Sequence, residues 1–422
     1  MRKALIALAL AQAAQFPAFA ADASSGPPDD LEALKLADES TGDAPQQAQP
    51  WRVFVEAAAG RGRLRGGDSR FGLVRGALDA RADVMLTNGL RAVFSDRLDL
   101  VDSDGVPPGK NINTLREAYL SWARSDDQIF DLGRVNLRNG AAMGYNPTDW
   151  FKEDALRAIV NPDPAVIREN RQGTVVVQAQ QLWVRASLTA AFSPRLARSG
   201  DEATFALNAG ATNPSNRWLL AGSYKFADKF NPQWLIHGGA DTSTQVGLNI
   251  STLIGDATVA FGEFSAGKGT SLISQALAVA EAPSYQQRAA AGLTYTTAFK
   301  LSLTAEFEYS SAAPVGDDWN ALSAPARQQV LAKSQALQEL PSRTQWFIFA
   351  TWDDLFVQRL SASGFVRRDL ETRSSAMWLE ARYRWERTDL ALQWQLLSGP
   401  PGSVYHAAPQ QKTGQVVLRV YF

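Results

Sequence analysis

Residues 300–309, KLSLTAEFEY, show most clearly how this chain is built. The residues at positions 301, 303, 305, 307 and 309 are apolar or aromatic, and Lys, Ser, Thr, Glu and Glu stand between them. Successive side chains of a β-strand point to opposite faces, so this spacing gives one apolar and one polar face. A helix would scatter both sets around its axis. The stretch therefore predicts an amphipathic strand of about ten residues.

The same alternation recurs from Trp51 to the end of the chain, notably in residues 378–385, 389–396 and 415–422. In residues 378–385 it places Glu380, Arg382 and Arg384 on one face, and three ionisable groups on one strand face require water. One stretch is irregular, because Asp96 falls within the apolar set of residues 90–100. We expect a β-bulge or a strand end near Asp96.

Alternating strands occur both in soluble sandwiches and in outer-membrane barrels, and the connections between strands distinguish these folds. Short turns, such as residues 87–89 and 386–388, alternate with long connections, such as residues 138–173 and 310–342. Short periplasmic turns and longer outer loops are typical of outer-membrane barrels. The predicted fold is therefore all-β: a transmembrane antiparallel β-barrel of about 18 strands (16 to 18) over residues 51–422, with helical segments in its long outer loops.

The N-terminal region predicts export. Arg2 and Lys3 precede an apolar stretch that ends in Ala18-Phe19-Ala20, a small-x-small cleavage pattern. Residues 1–20 are accordingly predicted to be a signal peptide that is cleaved on the way to the outer membrane of a Gram-negative cell. Residues 21–50, rich in Asp, Ser, Gly, Pro and Gln, are predicted to be a flexible periplasmic arm.

At the other end, Val416, Leu418, Val420 and Phe422 share one face of the last predicted strand. A terminal Phe after such alternation resembles the signal by which outer-membrane barrels are inserted. The expected partners are therefore the barrel assembly machinery, through Phe422, and outer-membrane lipid.

Composition excludes several classes of function. The chain has no cysteine and two histidines, so thiol chemistry and Cys/His metal sites are not expected, and no cofactor is predicted. With 42 basic and 43 acidic residues it lacks the basic surface that nucleic-acid binding requires. Ser223 and Ser243 are close to His237 in sequence alone. A histidine that is a polar residue of the barrel wall is a more common interpretation than a catalytic histidine. We therefore do not expect an enzyme.

A barrel of this size leaves an aqueous lumen. Provisional inward acids and bases number eight each, which predicts no strong ion selectivity. Arg81, Arg91 and Arg97 form either a local ladder that steers anions or, more commonly, salt bridges with Asp79 and Asp83. The candidate pore-lining residues are Arg81, Arg91, Arg97, Glu306, Glu308, Arg359, Arg367, Glu380, Arg382 and Arg384.

Two long loops contain predicted helices. Residues 149–159 follow Thr148 as a possible cap and precede Pro162 and Pro164, and residues 326–340 lie between a Ser323 cap and Pro341. Each loop could fold inward as a constriction or pack outside against its neighbours.

Three short motifs resemble proteobacterial outer-membrane barrels of the porin-like and alginate-export-like kind. They are Leu132-Gly133-Arg134, the run GYNPTDW at residues 144–150, and the terminal Tyr421-Phe422. The resemblance implies a channel for passage or export of a polar solute. The alternatives are a barrel enzyme that acts on lipid or surface polymer, and a closed structural or docking barrel.

Overall fold

The computed structural model describes residues 50–66, 69–105 and 108–422. The predicted signal peptide and all but the last residue of the predicted arm lie outside these ranges. The described residues form one 18-stranded antiparallel sheet in which each strand pairs with its neighbours in sequence. The strands are β1 Trp51–Leu64, β2 Arg70–Thr87, β3 Leu90–Ser103, β4 Ile112–Ser125, β5 Gln128–Val135, β6 Thr174–Trp183, β7 Ala186–Ser193, β8 Arg217–Tyr224, β9 Gln233–Gly239, β10 Gln245–Ile254, β11 Thr258–Gly269, β12 Ser284–Thr296, β13 Leu301–Ser310, β14 Thr344–Trp352, β15 Leu360–Asp369, β16 Ser375–Arg384, β17 Thr388–Ser398 and β18 Gln410–Tyr421.

The sheet closes on itself, because β1 pairs with β2 on one edge and with β18 on the other. Closure leaves no sheet edge with unpaired backbone groups. The predicted barrel and its strand number are confirmed. No helix in the described ranges is long and apolar enough to cross a membrane.

The two faces of the wall follow the period-two pattern. In β13, Leu303 and Phe307 are 44% and 37% exposed, whereas Glu306 and Glu308 are fully buried. Apolar side chains therefore point outward and polar ones inward, which excludes two stacked sheets with an apolar core. Lys300 lies in the turn before β13, with φ +63°, so the strand begins one residue later than predicted.

The predicted irregularity near Asp96 is a β-bulge. Ser95 pairs with Glu117 and Asp96 pairs with Leu115, so Arg116 is the extra residue on β4. The Asp96 carboxylate accepts a hydrogen bond from Asn113 at 3.0 Å. The bulge turns Arg116 into the lumen, where it is fully buried.

The connections between strands divide by length between the two ends of the barrel. Turns such as residues 88–89, 126–127 and 184–185 lie at one end, which we call the turn end. The connections 136–173, 194–216 and 311–343 lie at the opposite end, the loop end. This is the predicted asymmetry, although the hairpins 240–244 and 370–374 at the loop end are short.

Helices occur in the loops. Helix α5, Ala324–Leu337, confirms the second predicted helix, because it begins after Ser323, whose Oγ accepts a hydrogen bond from the Ala326 N–H. The first prediction was wrong: residues 149–159 contain one 3₁₀ turn, Trp150–Lys152, and helix α1, Pro164–Glu169, begins only after them. Proline is favoured in the first turn of a helix, and Asp163 caps this one, so Pro164 starts a helix instead of ending one. The helices are α1 Pro164–Glu169, α2 Ala209–Thr212, α3 Leu272–Leu277, α4 Gly316–Ala321 and α5 Ala324–Leu337.

An arginine introduced on the outer face should destabilise the barrel more than an arginine introduced on the inner face. Leu379, 46% exposed on the outer face of β16, replaced by Arg should destabilise the folded barrel in lipid by about 2–4 kcal/mol. Ser361→Arg, on the inner face of β15, should change stability much less because its charge meets the lumen. Urea unfolding of both variants in lipid vesicles measures the difference. Equal destabilisation would contradict the assigned faces.

Candidate functional site

The connection between β5 and β6, residues 136–173, crosses the interior of the barrel; we call it the inner loop. In a ring of 18 strands, β14 lies opposite β5. Thr148 of the loop donates from Oγ1 to Asn249 Oδ1 on β10 at 2.8 Å, and Arg367 on β15 donates to the Gly144 carbonyl at 2.6 Å. The loop thus reaches the far wall, and of the two positions left open by the sequence it takes the inward one.

Wall carboxylates hold the loop backbone. Glu263 on β11 accepts from the Ala142 N–H at 2.6 Å, and Glu306 on β13 accepts from the Met143 and Gly144 N–H groups at 2.5 and 2.8 Å. Charge-assisted bonds of this kind are stronger than neutral ones. A loop with unpaired amides would be costly at this depth, so these acids determine where it lies.

Glycine at position 144 permits this close approach. A Cβ there would lie 2.1 Å from Glu308 Oε1 and 2.7 Å from the Phe347 ring. Arg367 completes the contact, since its guanidinium lies 3.4 Å from Glu308 Oε1 and 4.9 Å from the Phe347 ring centroid. A side chain at position 144 would push the loop away from the wall.

Aromatic packing holds the next part of the loop. Trp150 stacks on His237 of β9 with ring centroids 5.2 Å apart, and Phe151 meets the same ring edge-on at 5.6 Å. Among the described residues, neither ring nitrogen of His237 has a hydrogen-bond partner. No hydroxyl of the described residues is therefore placed to be activated by His237, which acts as a packing surface.

The loop is also braced from the loop end of the barrel. Lys152 donates to the Asn146 carbonyl at 2.6 Å and lies over the Tyr145 ring, and Gln338 beyond α5 donates to the Lys152 carbonyl at 2.5 Å. Burial lowers the pKa of Lys152 to about 8. Above the loop, α3, α4, α5 and residues 399–409 share one apolar cluster, the outer cap: Leu272, Trp319, Val330, Leu331 and Val404.

Below the inner loop, toward the turn end, lies a cavity of about 340 Å³. Its roof comes from residues 161–170 of the loop, and its walls come from β1–β4 and β14–β18. Six carboxylates line it: Asp79, Asp163, Glu169, Asp353, Glu380 and Asp389. Eight arginines line it as well: Arg52, Arg81, Arg97, Arg116, Arg138, Arg382, Arg384 and Arg419.

Most of this charge is paired. Arg97 lies 2.9 Å from Asp99, 3.1 Å from Glu56 and 3.5 Å from Asp79. On another part of the cavity wall, Arg382 contacts both Glu380 and Asp389 at 2.8 Å. The lining is therefore strongly polar but nearly balanced, with a small excess of positive charge.

One roof residue has a shifted pKa. Burial raises the pKa of Asp163 to about 6, although the backbone N–H groups at the start of α1 partly oppose the shift. Its carboxylate accepts a hydrogen bond from the Ala165 N–H at 2.9 Å. The charge of the cavity roof therefore changes near neutral pH.

The candidate pore-lining residues fall into three groups, with Arg359 as a separate case. Arg81, Arg97, Glu380, Arg382 and Arg384 line the cavity. Arg91 pairs with Asp83 on the neighbouring strand, as the salt-bridge interpretation predicts. Glu306, Glu308 and Arg367 lie on the inner face but are covered by the loop, so they hold the loop and do not line an open lumen.

Arg359 requires a correction. It lies in the turn before β15, is exposed, and has φ +69°, so it belongs to the turn end and not to the inner wall. Sequence reasoning also missed the roof residues Asn161, Asp163 and Glu169. The Pro-Asp-Pro pattern at residues 162–164, in which Asp163 directly precedes Pro164, could have indicated the helix start that places them.

The sequence matches no family model and no curated protein. Crystal structures of three bacterial proteins share its fold. OccAB1 of Acinetobacter baumannii gives a TM-score of 0.55 at 9% identity, over 88% of this chain and 96% of that one. OccK9 (OpdG) of Pseudomonas aeruginosa gives 0.54 at 11% identity, over 88% and 97%. A BenF-like porin of Pseudomonas fluorescens Pf-5 gives 0.54 at 10% identity, over 88% and 98%. The predicted resemblance to porin-like barrels is thus confirmed at the level of fold.

Removing the acceptor at position 306 should release the inner loop. Glu306→Leu leaves two loop amides without a partner, at about 1–3 kcal/mol each, so we expect larger and noisier single-channel currents in planar bilayers. Glu306→Gln is the graded control: it keeps one acceptor oxygen and replaces the other by an NH2 donor, so its currents should lie between those of the parent protein and of Glu306→Leu. Unchanged currents in Glu306→Leu would show that the acid does not position the loop.

Proposed function

We propose that this protein is an outer-membrane channel that passes a polar solute, with the inner loop as its constriction. The observation that carries the proposal is the cavity beneath the loop, inside a closed barrel and lined by eight arginines and six carboxylates. A wet, charged interior inside an apolar outer wall is the arrangement of a channel through lipid. The solved barrels of the same fold, one of them described as a porin, support this assignment.

The charges also suggest which solutes pass. Arginines and carboxylates are interspersed around the cavity and pair with neighbours on the same or nearby strands, so they offer donors and acceptors to a hydrated or hydroxyl-rich molecule. The lining has two more arginines than carboxylates, but its Arg97 also pairs with Glu56 and Asp99, so the charges nearly balance and give no strong ion preference.

The rival functions have less support. An enzyme would need an activated group, but His237 is enclosed by Trp150 and Phe151 and makes no hydrogen bond to any residue that the structure describes. In the described ranges, no group of three or more His, Cys, Asp or Glu is placed to hold a metal ion. A closed docking barrel remains the second candidate, favoured by the outer cap.

We further propose that residues 1–20 direct export and are cleaved, that residues 21–50 form a periplasmic arm, and that Phe422 is read by the barrel assembly machinery. Phe422 supports this last step, because its side chain is 44% exposed beyond the end of β18.

Filling the cavity should block the channel. Ser363, on the inner face of β15, lines the cavity, so Ser363→Trp should reduce single-channel conductance by about half or more. Val366→Trp, on the outer face of the same strand, is the matched control and should conduct normally. A folded parent protein that gives no current would contradict the proposed channel and favour the docking barrel.

Ion preference should depend on pH through Asp163. Its carboxylate is charged above its raised pKa of about 6 and neutral below it, so acidification removes a negative charge from the roof. Reversal potentials in a salt gradient should show the anion-to-cation permeability ratio rising about twofold between pH 8 and pH 5. Asp163→Asn should hold the higher ratio at both pH values. A pH response that persists in this variant would assign it to another group.

A further inference from the structure

One side of the barrel wall is almost without charge. The described residues of strands β6–β10 include one arginine, Arg217, and no lysine, aspartate or glutamate. Arg217 begins β8 at the loop end. In a ring of 18 strands, β7–β10 lie opposite β16–β18 and β1, whose inner faces carry a network of ion pairs: Glu56, Glu380, Arg382, Asp389 and Arg419. The lumen on the turn side of the inner loop therefore has a charged side and an uncharged side.

Four polar side chains cross the uncharged side at one level, and we call them the amide–hydroxyl row. They lie directly opposite one another on β7, β8, β9 and β10: Ser187, Ser223, Gln233 and Asn249. The Oγ atoms of the two serines are 2.7 Å apart, and Asn249 donates from Nδ2 to Gln233 Oε1 at 2.9 Å. All four residues are partly exposed. The row is thus a continuous strip of neutral hydrogen-bonding groups.

The amide–hydroxyl row lies at the edge of the constriction. Ala221 on β8 and Leu235 on β9, each two residues nearer the loop end, pack in one cluster with Trp150 of the inner loop. Residues two apart on a strand share a face, so the row also faces the lumen. Thr148 of the inner loop donates to Asn249 Oδ1 at 2.8 Å. A solute that has passed this part of the loop therefore meets the row next.

The amide–hydroxyl row keeps hydrogen-bonding groups for such a solute. Among the described residues, Gln233 Nε2 donates to no partner. Whichever of Ser187 and Ser223 donates to the other, one hydroxyl proton remains to be donated elsewhere. A neutral hydroxylated molecule can exchange its hydrogen bonds to water for bonds to these groups at little net cost. An ion finds no opposite charge there to offset the water that it loses.

We propose that the amide–hydroxyl row binds neutral polyhydroxylated solutes, of the class of sugars and sugar alcohols, as they pass the inner loop. The inference rests on the channel proposed above and names a class of solute for it. A wall that hydrogen-bonds hydroxyl groups discriminates against a solute that lacks them, because its polar groups are then left unpaired. A zwitterion without hydroxyl groups therefore gains nothing from the row and is attracted to the ion pairs of the opposite side.

The test uses the purified protein in lipid vesicles and measures tracer uptake of two solutes. Radiolabelled arabinose is the neutral hydroxylated probe, and radiolabelled proline is a zwitterion without hydroxyl groups. Ser223→Ala combined with Gln233→Met removes two hydrogen-bonding groups with little change in volume, so arabinose uptake should fall about fivefold. Proline uptake and potassium chloride conductance should stay close to those of the parent protein.

Two further variants make the test specific to the lumen. Thr252→Val removes a hydroxyl from the outer face of β10, which it shares with the exposed Ile250, and should take up arabinose as the parent does. Gln233→Glu places a charge in the row and should raise the cation-to-anion permeability ratio about twofold. An unchanged ratio would show that the row does not face the conducting path and would overturn the proposal.

Arabinose uptake by the double variant within about twofold of the parent would also overturn it. Equal losses of arabinose and proline uptake would overturn it as well, because they would indicate a general narrowing of the pore. Heat-modifiable gel mobility checks folding; if the double variant does not fold, Gln233→Met alone replaces it and should lower arabinose uptake about threefold. A parent protein that conducts ions but takes up no arabinose contradicts this inference alone, whereas one with neither current nor uptake contradicts the proposed channel itself.

Discussion

Closure of the hydrogen-bonded ring is the constraint on which the rest of this structure depends. In hydrocarbon each unpaired backbone N–H or C=O costs several kcal/mol, so a sheet can span it only without edges. The pairing of β1 with β18, from Phe54 opposite Tyr421 to Leu64 opposite Gln410, removes the two edges that 18 strands would otherwise leave. Once the ring is closed, the period of two assigns every other side chain to lipid and its neighbours to the lumen.

Closure also leaves a space to be filled, because the interior of an 18-stranded barrel is too wide for the side chains of its wall to fill. The inner loop occupies part of that space. Its amides need acceptors, which Glu263 and Glu306 provide, and its close approach needs a residue without a side chain, which Gly144 provides. Glu306, which the sequence marks as a lumen residue, thus acts as a support for a constriction. The cavity described above lies on the turn side of the loop.

The period of two in the strands could be predicted from sequence because it is local. In residues 300–309 the alternation alone shows which side chains share a face, without reference to any other part of the chain. The strand number and the bulge near Asp96 follow from the same signal. The course of the inner loop could not be predicted, since it depends on contacts such as Gly144 with Arg367 that join residues distant in sequence. Pro164 was misread for a related reason, because a proline both ends and starts helices, and only the Asp163 cap decides between them. Arg359 shows the limit of periodicity, which fails where a strand gives way to a turn.

The central claim is that water and solute reach the space beneath the inner loop. The chain has no cysteine, so Ser363→Cys would place a single thiol in that space. A charged, membrane-impermeant thiol reagent added during planar-bilayer recording tests access and conduction together. We predict stepwise loss of current as the thiol is labelled. A thiol that stays unlabelled in the folded barrel, or labelling that leaves the current unchanged, would contradict the account.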